Sequence, residues 1–152
     1  MAPSKVKYVH TNLTGCDWRR LVSFYCDVFG CVSKPPERDL SGDWLDLLTS
    51  LEGARVTGVH LRLPGFGDDG PTLEIFSYDQ MLEGRIPATN EPGFGHLAFS
   101  VCDVDEALRA VLAHGGSAVG EVTTTRVPGV GVLHVVYARD PEGNIIELQN
   151  WS

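Results

Sequence analysis

The sequence predicts an α+β fold in which one domain contains two βαβββ modules whose sheets form a curved cleft. Three observations predict it. A strand-then-helix pattern occurs twice, the two copies align at a fixed offset, and each copy is followed by further alternating strands. The copies are "VHTNLTGCDWRRLVSFYCDVFG" (Val9–Gly30) and "GHLAFSVCDVDEALRAVLAHGG" (Gly95–Gly116). Laying His10 on His96 sets an offset of 86, which also puts Cys16 on Cys102, Asp17 on Asp103 and Gly30 on Gly116.

The elements follow in chain order. Val9, Thr11 and Leu13 alternate with His10 and Asn12, the period of a strand. Asp17 then caps a helix whose apolar stripe is Trp18, Leu21, Val22, Tyr25 and Val28, and Gly30 ends it. "SKPPERDLSGDWLDLLTSLEG" reads as an insertion, its two prolines and its acidic residues predicting an irregular excursion. Within it, "DWLDLLTSL" fits either a strand or a short helix. "RVTGVHLRLPG", "FGDDGP" and "TLEIFSY" read as strand, turn and strand, and "MLEGRIPATNEPG" as a polar linker. In the second copy Leu97, Phe99 and Val101 form the apolar side of a strand. Asp103 with Glu106 makes a capping-box-like start, and Val104, Ala107, Leu108, Val111 and Leu112 form the helical stripe. "GVLHVVYA", "RDPEGN" and "IIELQNW" repeat the strand, turn and strand. The predicted organisation is a single domain over 1–152: a first module with its insertion over 5–80, a linker over 81–93 and a second module over 94–152.

Composition narrows the function. A chain of 152 residues with 43% hydrophobic and 21% charged residues is large enough to bury a core and is not disordered by composition. Its apolar runs are too short for a membrane span, and "MAPSKVKYVH" has no signal-peptide core, which predicts a cytoplasmic protein without membrane partners. The four cysteines form no CxxC pair and read as reduced thiols. A net charge of −8 without a Lys/Arg cluster argues against nucleic acid, since phosphate neutralisation supplies most of that affinity.

Alternation then selects residues for chemistry. With Leu97 and Phe99 packed on the helix, His96 faces the other side of the sheet. Leu73 and Ile75 send Glu74 to that side, Ile146 and Leu148 send Glu147 there, and His10 is opposed to Val9 and Thr11. Two imidazoles and two carboxylates converging on one sheet face suit a divalent ion of Ni, Co, Mn, Fe or Zn. Without a cation the two glutamates repel each other. His60 and Arg62 share the parity opposite Val59, Leu61 and Leu63, either as an acid/base and an anion partner or as ordinary cleft wall. His114 sits where it meets a helix C-terminal dipole. His134 has no assignable face.

Taken together, "VHTNL…FYCDVFG", "TLEIFSY", "GHLAFSVCDVDEAL" and "YARDPEGNIIEL" resemble the vicinal oxygen chelate superfamily. That superfamily contains glyoxalase I, methylmalonyl-CoA epimerase, extradiol dioxygenases and bleomycin- or fosfomycin-resistance proteins. The resemblance covers Val6 to Trp151 and implies paired βαβββ modules around one divalent metal, with His10, Glu74, His96 and Glu147 as ligands. It implies a small-molecule substrate presenting adjacent oxygens, Lewis-acid stabilisation of an enediolate-like intermediate, a glutamate base and a homodimer. Symmetry does not separate Glu74 from Glu147 as the catalytic carboxylate; the resemblance implies Glu147.

The chain has Thr14 where glyoxalases carry an arginine for the glutathione carboxylate, and Tyr78 near where they carry an asparagine. These departures argue against glutathione as the substrate, and the resemblance implies a metal-dependent lyase or isomerase of glyoxalase or epimerase type. Two other readings stay open. An extradiol-type dioxygenase would use Tyr137 as its catalytic tyrosine, where Tyr137 is otherwise a cavity-lining aromatic. A metal-free drug-binding or resistance protein would line its groove with aromatics such as Trp44, Phe66, Phe76 and Tyr78. The expected substrate-binding residues are His60, Arg62, Phe76 and Tyr137.

Overall fold

In the computed structural model, which describes residues 5–152, the elements run β1 (His10–Thr14), α1 (Trp18–Phe29), β2 (Val32–Ser41), α2 (Asp43–Thr49), β3 (Arg55–Arg62) and β4 (Thr72–Tyr78). They continue as β5 (Leu97–Ser100), α3 (Val104–Ala113), β6 (Ser117–Ala118), β7 (Thr123–Val127), β8 (Gly131–Arg139) and β9 (Ile145–Trp151). The chain packs as two compact units. One runs to Cys26 and resumes over Gly30–Leu82; the other takes Asp27–Phe29 and Glu83–Ser152. These are two βαβββ-like modules with mixed sheets, as the repeat predicts.

The first unit holds a four-stranded sheet in the order β1-β4-β3-β2, with β1 parallel to β4 and the other pairs antiparallel. Val59, Leu61, Leu73 and Ile75 are its buried side, each no more than 2% exposed. The start of α1 is tied to that side through Ser77, which accepts from the Trp18 backbone N–H at 3.1 Å and donates to the Gly15 carbonyl at 2.6 Å. Asp17 caps the helix by accepting from the Arg20 N–H, and Gly30 closes it in the left-handed conformation at φ 70°. The buried helix residues are Trp18, Leu21, Phe24 and Tyr25. Phe24 thus replaces Val22 and Val28 in the predicted stripe, because both of those are only half-buried.

The segment read as an irregular insertion is mostly regular structure. β2 is the strand that completes the first βαβββ module, and its Pro35-Pro36 step is accommodated in a bulge between Lys34 and Arg38. "DWLDLLT" is a helix, α2, whose Leu45 packs with Ala54 and Val56.

The second unit repeats the plan in the order β5-β9-β8-β6, with β5 parallel to β9 and β7 also pairing with β8. β6 and β7 divide between them the edge that β2 fills alone in the first unit. Asp103 caps α3 by accepting from the Glu106 N–H at 2.8 Å. Val104 and Val111 are its buried residues, whereas Leu112, placed in the stripe by periodicity, is exposed. All four cysteines are free thiols. Among the described residues no helix is long and apolar enough to cross a membrane.

Candidate metal centre

Glu74 lies between Leu73 and Ile75, which are 1% and 0% exposed, so the pleat of β4 sends it to the opposite face. Pairing decides its neighbours. Parallel β1 sets Asn12 opposite Glu74 and leaves His10 two residues earlier on the same face, while antiparallel β3 sets His60 opposite Glu74 from the other side.

Both carboxylate oxygens are engaged. Oε1 accepts from Asn12 Nδ2 at 3.0 Å, and Asn12 Oδ1 accepts from the Thr14 hydroxyl at 2.8 Å. Oε2 lies 2.7 Å from His60 Nε2, and His60 Nδ1 is 2.8 Å from the Thr72 hydroxyl. A carboxylate only accepts, so Nε2 carries the proton; in the neutral ring Nδ1 then accepts from Thr72. Burial holds the His60 imidazole below its ordinary value against the pull of Glu74, and the charges of Arg38 and His10 act with burial. His10 Nε2 stands 3.6 Å from Glu74 Oε1, too far for a hydrogen bond.

The donor set fits a divalent ion. His10, His60 and Glu74 each offer a ligand atom, all within 4.8 Å of one another. Two ligands held ~2.1 Å from one ion at a right angle lie roughly 3 Å apart, and somewhat further apart in a tetrahedron. The His10–Glu74 spacing suits such a pair. His60 Nε2 is 2.7 Å from Oε2, so it too stands at the candidate ion position, while Thr72 holds the other side of its ring through Nδ1.

The second unit repeats this row. β5 sets Ala98 opposite Glu147, and His96 precedes Ala98 by the same two residues that separate His10 from Asn12. Across β8 the residue opposite Glu147 is Tyr137. His96 Nε2 is 3.0 Å from Glu147 Oε2, and the His96 and Tyr137 rings are 4.9 Å apart. Burial first, and then the Glu147 charge, push the Tyr137 phenol up, so it remains a donor. Tyr137 therefore takes the place of His60, and Ala98 that of Asn12.

Each residue selected from the sequence can now be located. His10, Glu74 and His60 come together in the first unit, and His96, Glu147 and Tyr137 in the second. Phe76 shares Glu74's face, stands edge-on to His60 at 6.3 Å, and packs with Tyr78 against Leu45, Ala54 and Val56. Arg62 is committed to an ion pair with Asp68. Trp44 and Phe66 are 52% and 58% exposed. His114 donates from Nδ1 to the Ala110 carbonyl at 2.8 Å and so holds the end of α3, while His134 sits between Thr124 at 2.6 Å and Asp105 at 3.4 Å. Sequence reading missed the parts played by Asn12 and Thr72. The available signal for Asn12 was its parity with His10; Thr72 had none, because its role depends on the ring orientation of His60.

A model of the Glyoxalase/Bleomycin resistance protein/Dioxygenase superfamily matches residues 7–148. The chain is 26% identical over 147 residues to a "Probable lactoylglutathione lyase" of Vibrio parahaemolyticus, covering 95% of this chain and 91% of that relative. It is 29% identical over 154 residues to a "2-epi-5-epi-valiolone epimerase" of an Actinomyces species, covering 97% and 81%. Among solved structures, a glyoxalase family protein from Bacillus cereus matches with a TM-score of 0.81 at 22% identity, over 98% of this chain and 97% of that one, which is a likeness of fold. With nearly its whole length matched, and with a candidate His/His/Glu cluster on its first sheet, the chain belongs to the Glyoxalase/Bleomycin resistance protein/Dioxygenase superfamily.

Proposed function

We propose that this protein is a metal-dependent enzyme of glyoxalase or epimerase type. In this reading His10, Glu74, His96 and Glu147 hold one divalent ion of Ni, Co, Mn, Fe or Zn. The observation that carries the reading is the duplicated register: in each unit a histidine stands two residues before the strand position that faces a glutamate. The curated relatives, one named as a lyase and one as an epimerase, agree with this class.

The chain's own groups divide the work. Asn12 and His60 flank the Glu74 carboxylate from either side, and Tyr137 stands opposite Glu147 across β8 and β9. Glu147 is the base: it takes the proton from the carbon beside the substrate's carbonyl and returns it to an adjacent position. The substrate is a small molecule with two adjacent oxygens. A divalent ion bound at these residues supplies Lewis-acid polarisation of that carbonyl.

The test is elemental analysis of protein purified without a histidine tag, beside a His96→Ala/Glu147→Ala variant. The expected result is about one metal per chain, lost in the variant. No binding after supply of Mn, Co, Ni, Zn and anaerobic Fe(II) would overturn the enzyme reading in favour of a metal-free ligand-binding protein.

A further inference from the structure

Sheet register places more than the candidate ligands on this face. Across the first unit one line of paired residues runs Asn12, Glu74, His60, Lys34, from β1 to the β2 edge. Residues paired across neighbouring strands share a face, so Lys34 stands beside His60 on the side that carries Glu74. The bulge then inserts two residues before pairing resumes at Arg38 with Gly58, the next position on that face. An even insertion preserves parity, and so Arg38 also rises on the His60 side.

A cavity of about 330 Å³ opens there, lined by Lys7, Lys34 and Arg38 together with His60 and Thr72. Three of the chain's 12 lysines and arginines meet at this one place in a protein of net charge −8. Their cationic ends are held by neutral acceptors: Lys7 donates to the Asp69 carbonyl at 3.2 Å, Lys34 to the Asp68 carbonyl at 3.4 Å, and Arg38 to the Pro36 carbonyl. The cavity also has two acids, Asp68 and Asp69, and the Asp68 carboxylate is paired with Arg62. Among the lining residues that leaves three cations and one further carboxylate, Asp69. At the matching position of the second unit the Tyr137 carbonyl accepts from the backbone of Val119 and Gly120, neither of which is basic.

We propose that this cavity is an oxyanion subsite that takes a carboxylate or phosphoryl group of the substrate. It rests on the proposed metal reading in one respect, that the substrate's reacting oxygens lie near Glu74. Strands are spaced ~4.8 Å apart, so Lys34 is about two strand spacings, ~10 Å, from Glu74 along the backbone line. The anionic group therefore sits several bonds away from the two oxygens that react, and it selects acidic substrates over neutral ones of the same shape.

The test uses metal-free protein, so it succeeds or fails independently of metal binding. Inorganic phosphate and malonate are titrated separately by calorimetry into the wild type, a Lys34→Gln/Arg38→Gln variant and an Arg109→Gln control on α3. Saturable binding of either anion by the wild type, weakened tenfold or more in the double variant and unchanged in the control, is the expected result; whichever anion binds tighter assigns the group. No saturable binding, or equal affinity in the double variant, overturns the proposal. Thermal melting and metal loading of the double variant, both expected to match the wild type, separate loss of the subsite from loss of the fold or of the metal site.

Discussion

His60 and Glu74 face each other across β3 and β4 with Nε2 and Oε2 2.7 Å apart, and the far side of the His60 ring rests on Thr72 at 2.8 Å. The two histidines beside Glu74 are thus placed differently: His10 stands off at 3.6 Å, and His60 is held from its far side by Thr72. His10→Ala is expected to abolish stoichiometric binding of Co(II) or Zn(II). His60→Gln should keep the stoichiometry and weaken affinity by roughly 10–100-fold, the usual effect of removing an orienting partner. Competition against a chromophoric chelator reads both. Equal losses in the two variants would move His60 into the ligand set.

Gly58 is required by close approach. It lies opposite Phe76, and a Cβ at this position would overlap the Ile75 carbonyl oxygen and the Phe76 ring. Gly58→Ala should cost about 1–3 kcal/mol, the range for forced overpacking, measured by denaturant unfolding. Removing the ring as well, in Gly58→Ala/Phe76→Ala, should not restore stability, because the backbone oxygen remains in the way. A single variant within 0.5 kcal/mol of wild type would show that the strand pair yields easily.

The two aspartates that open the long helices are equivalent under the repeat, and each accepts from the N–H three residues on. Asp17→Ala and Asp103→Ala should each lose about 1 kcal/mol. An asparagine at either position should recover most of the loss, since its side-chain oxygen can still accept. No loss in either variant would mean that solvent caps these helices equally well.

The face of each candidate residue was legible because it follows from local alternation. "TLEIFSY" and "NIIELQN" put apolar residues on both sides of a glutamate, and the sheet only had to be half-buried for the glutamate to point away from the core. The offset that aligned His10 with His96 also aligned Asn12 with Ala98, the two positions that face the glutamates. What sequence could not supply was cross-strand information. β2 was hidden because two adjacent prolines read as a break, whereas the bulge leaves its pairing with β3 to resume at Arg38. For the same reason Lys34 and Arg38 could not be assigned a face: their parity depends on how many residues the bulge absorbs. Arg62 had the right parity, but its guanidinium is taken by Asp68 on the loop before β4, a contact no periodicity encodes.

Cys31 gives a prediction independent of the metal. It is 4% exposed, and burial first, with Cys26 nearby second, pushes its thiol up to about 12. At pH 8 the reactive thiolate fraction is then roughly 10⁻⁴, against about a quarter for an ordinary cysteine. Cys16 and Cys102 are exposed and should alkylate promptly in the native protein, while Cys31 should react only after denaturation. The sign of the linkage follows. The folded state keeps Cys31 protonated, so its contribution is complete below the unfolded value of ~8.5 and is lost as pH rises toward the folded value. Stability should therefore fall through the alkaline range, and Cys31→Ala should flatten that slope even if the cavity lowers stability at pH 7. Mass-mapped alkylation decides the first part: Cys31 labelling at the rate of Cys102 would mean that the α1–β2 corner opens far more readily than its packing implies.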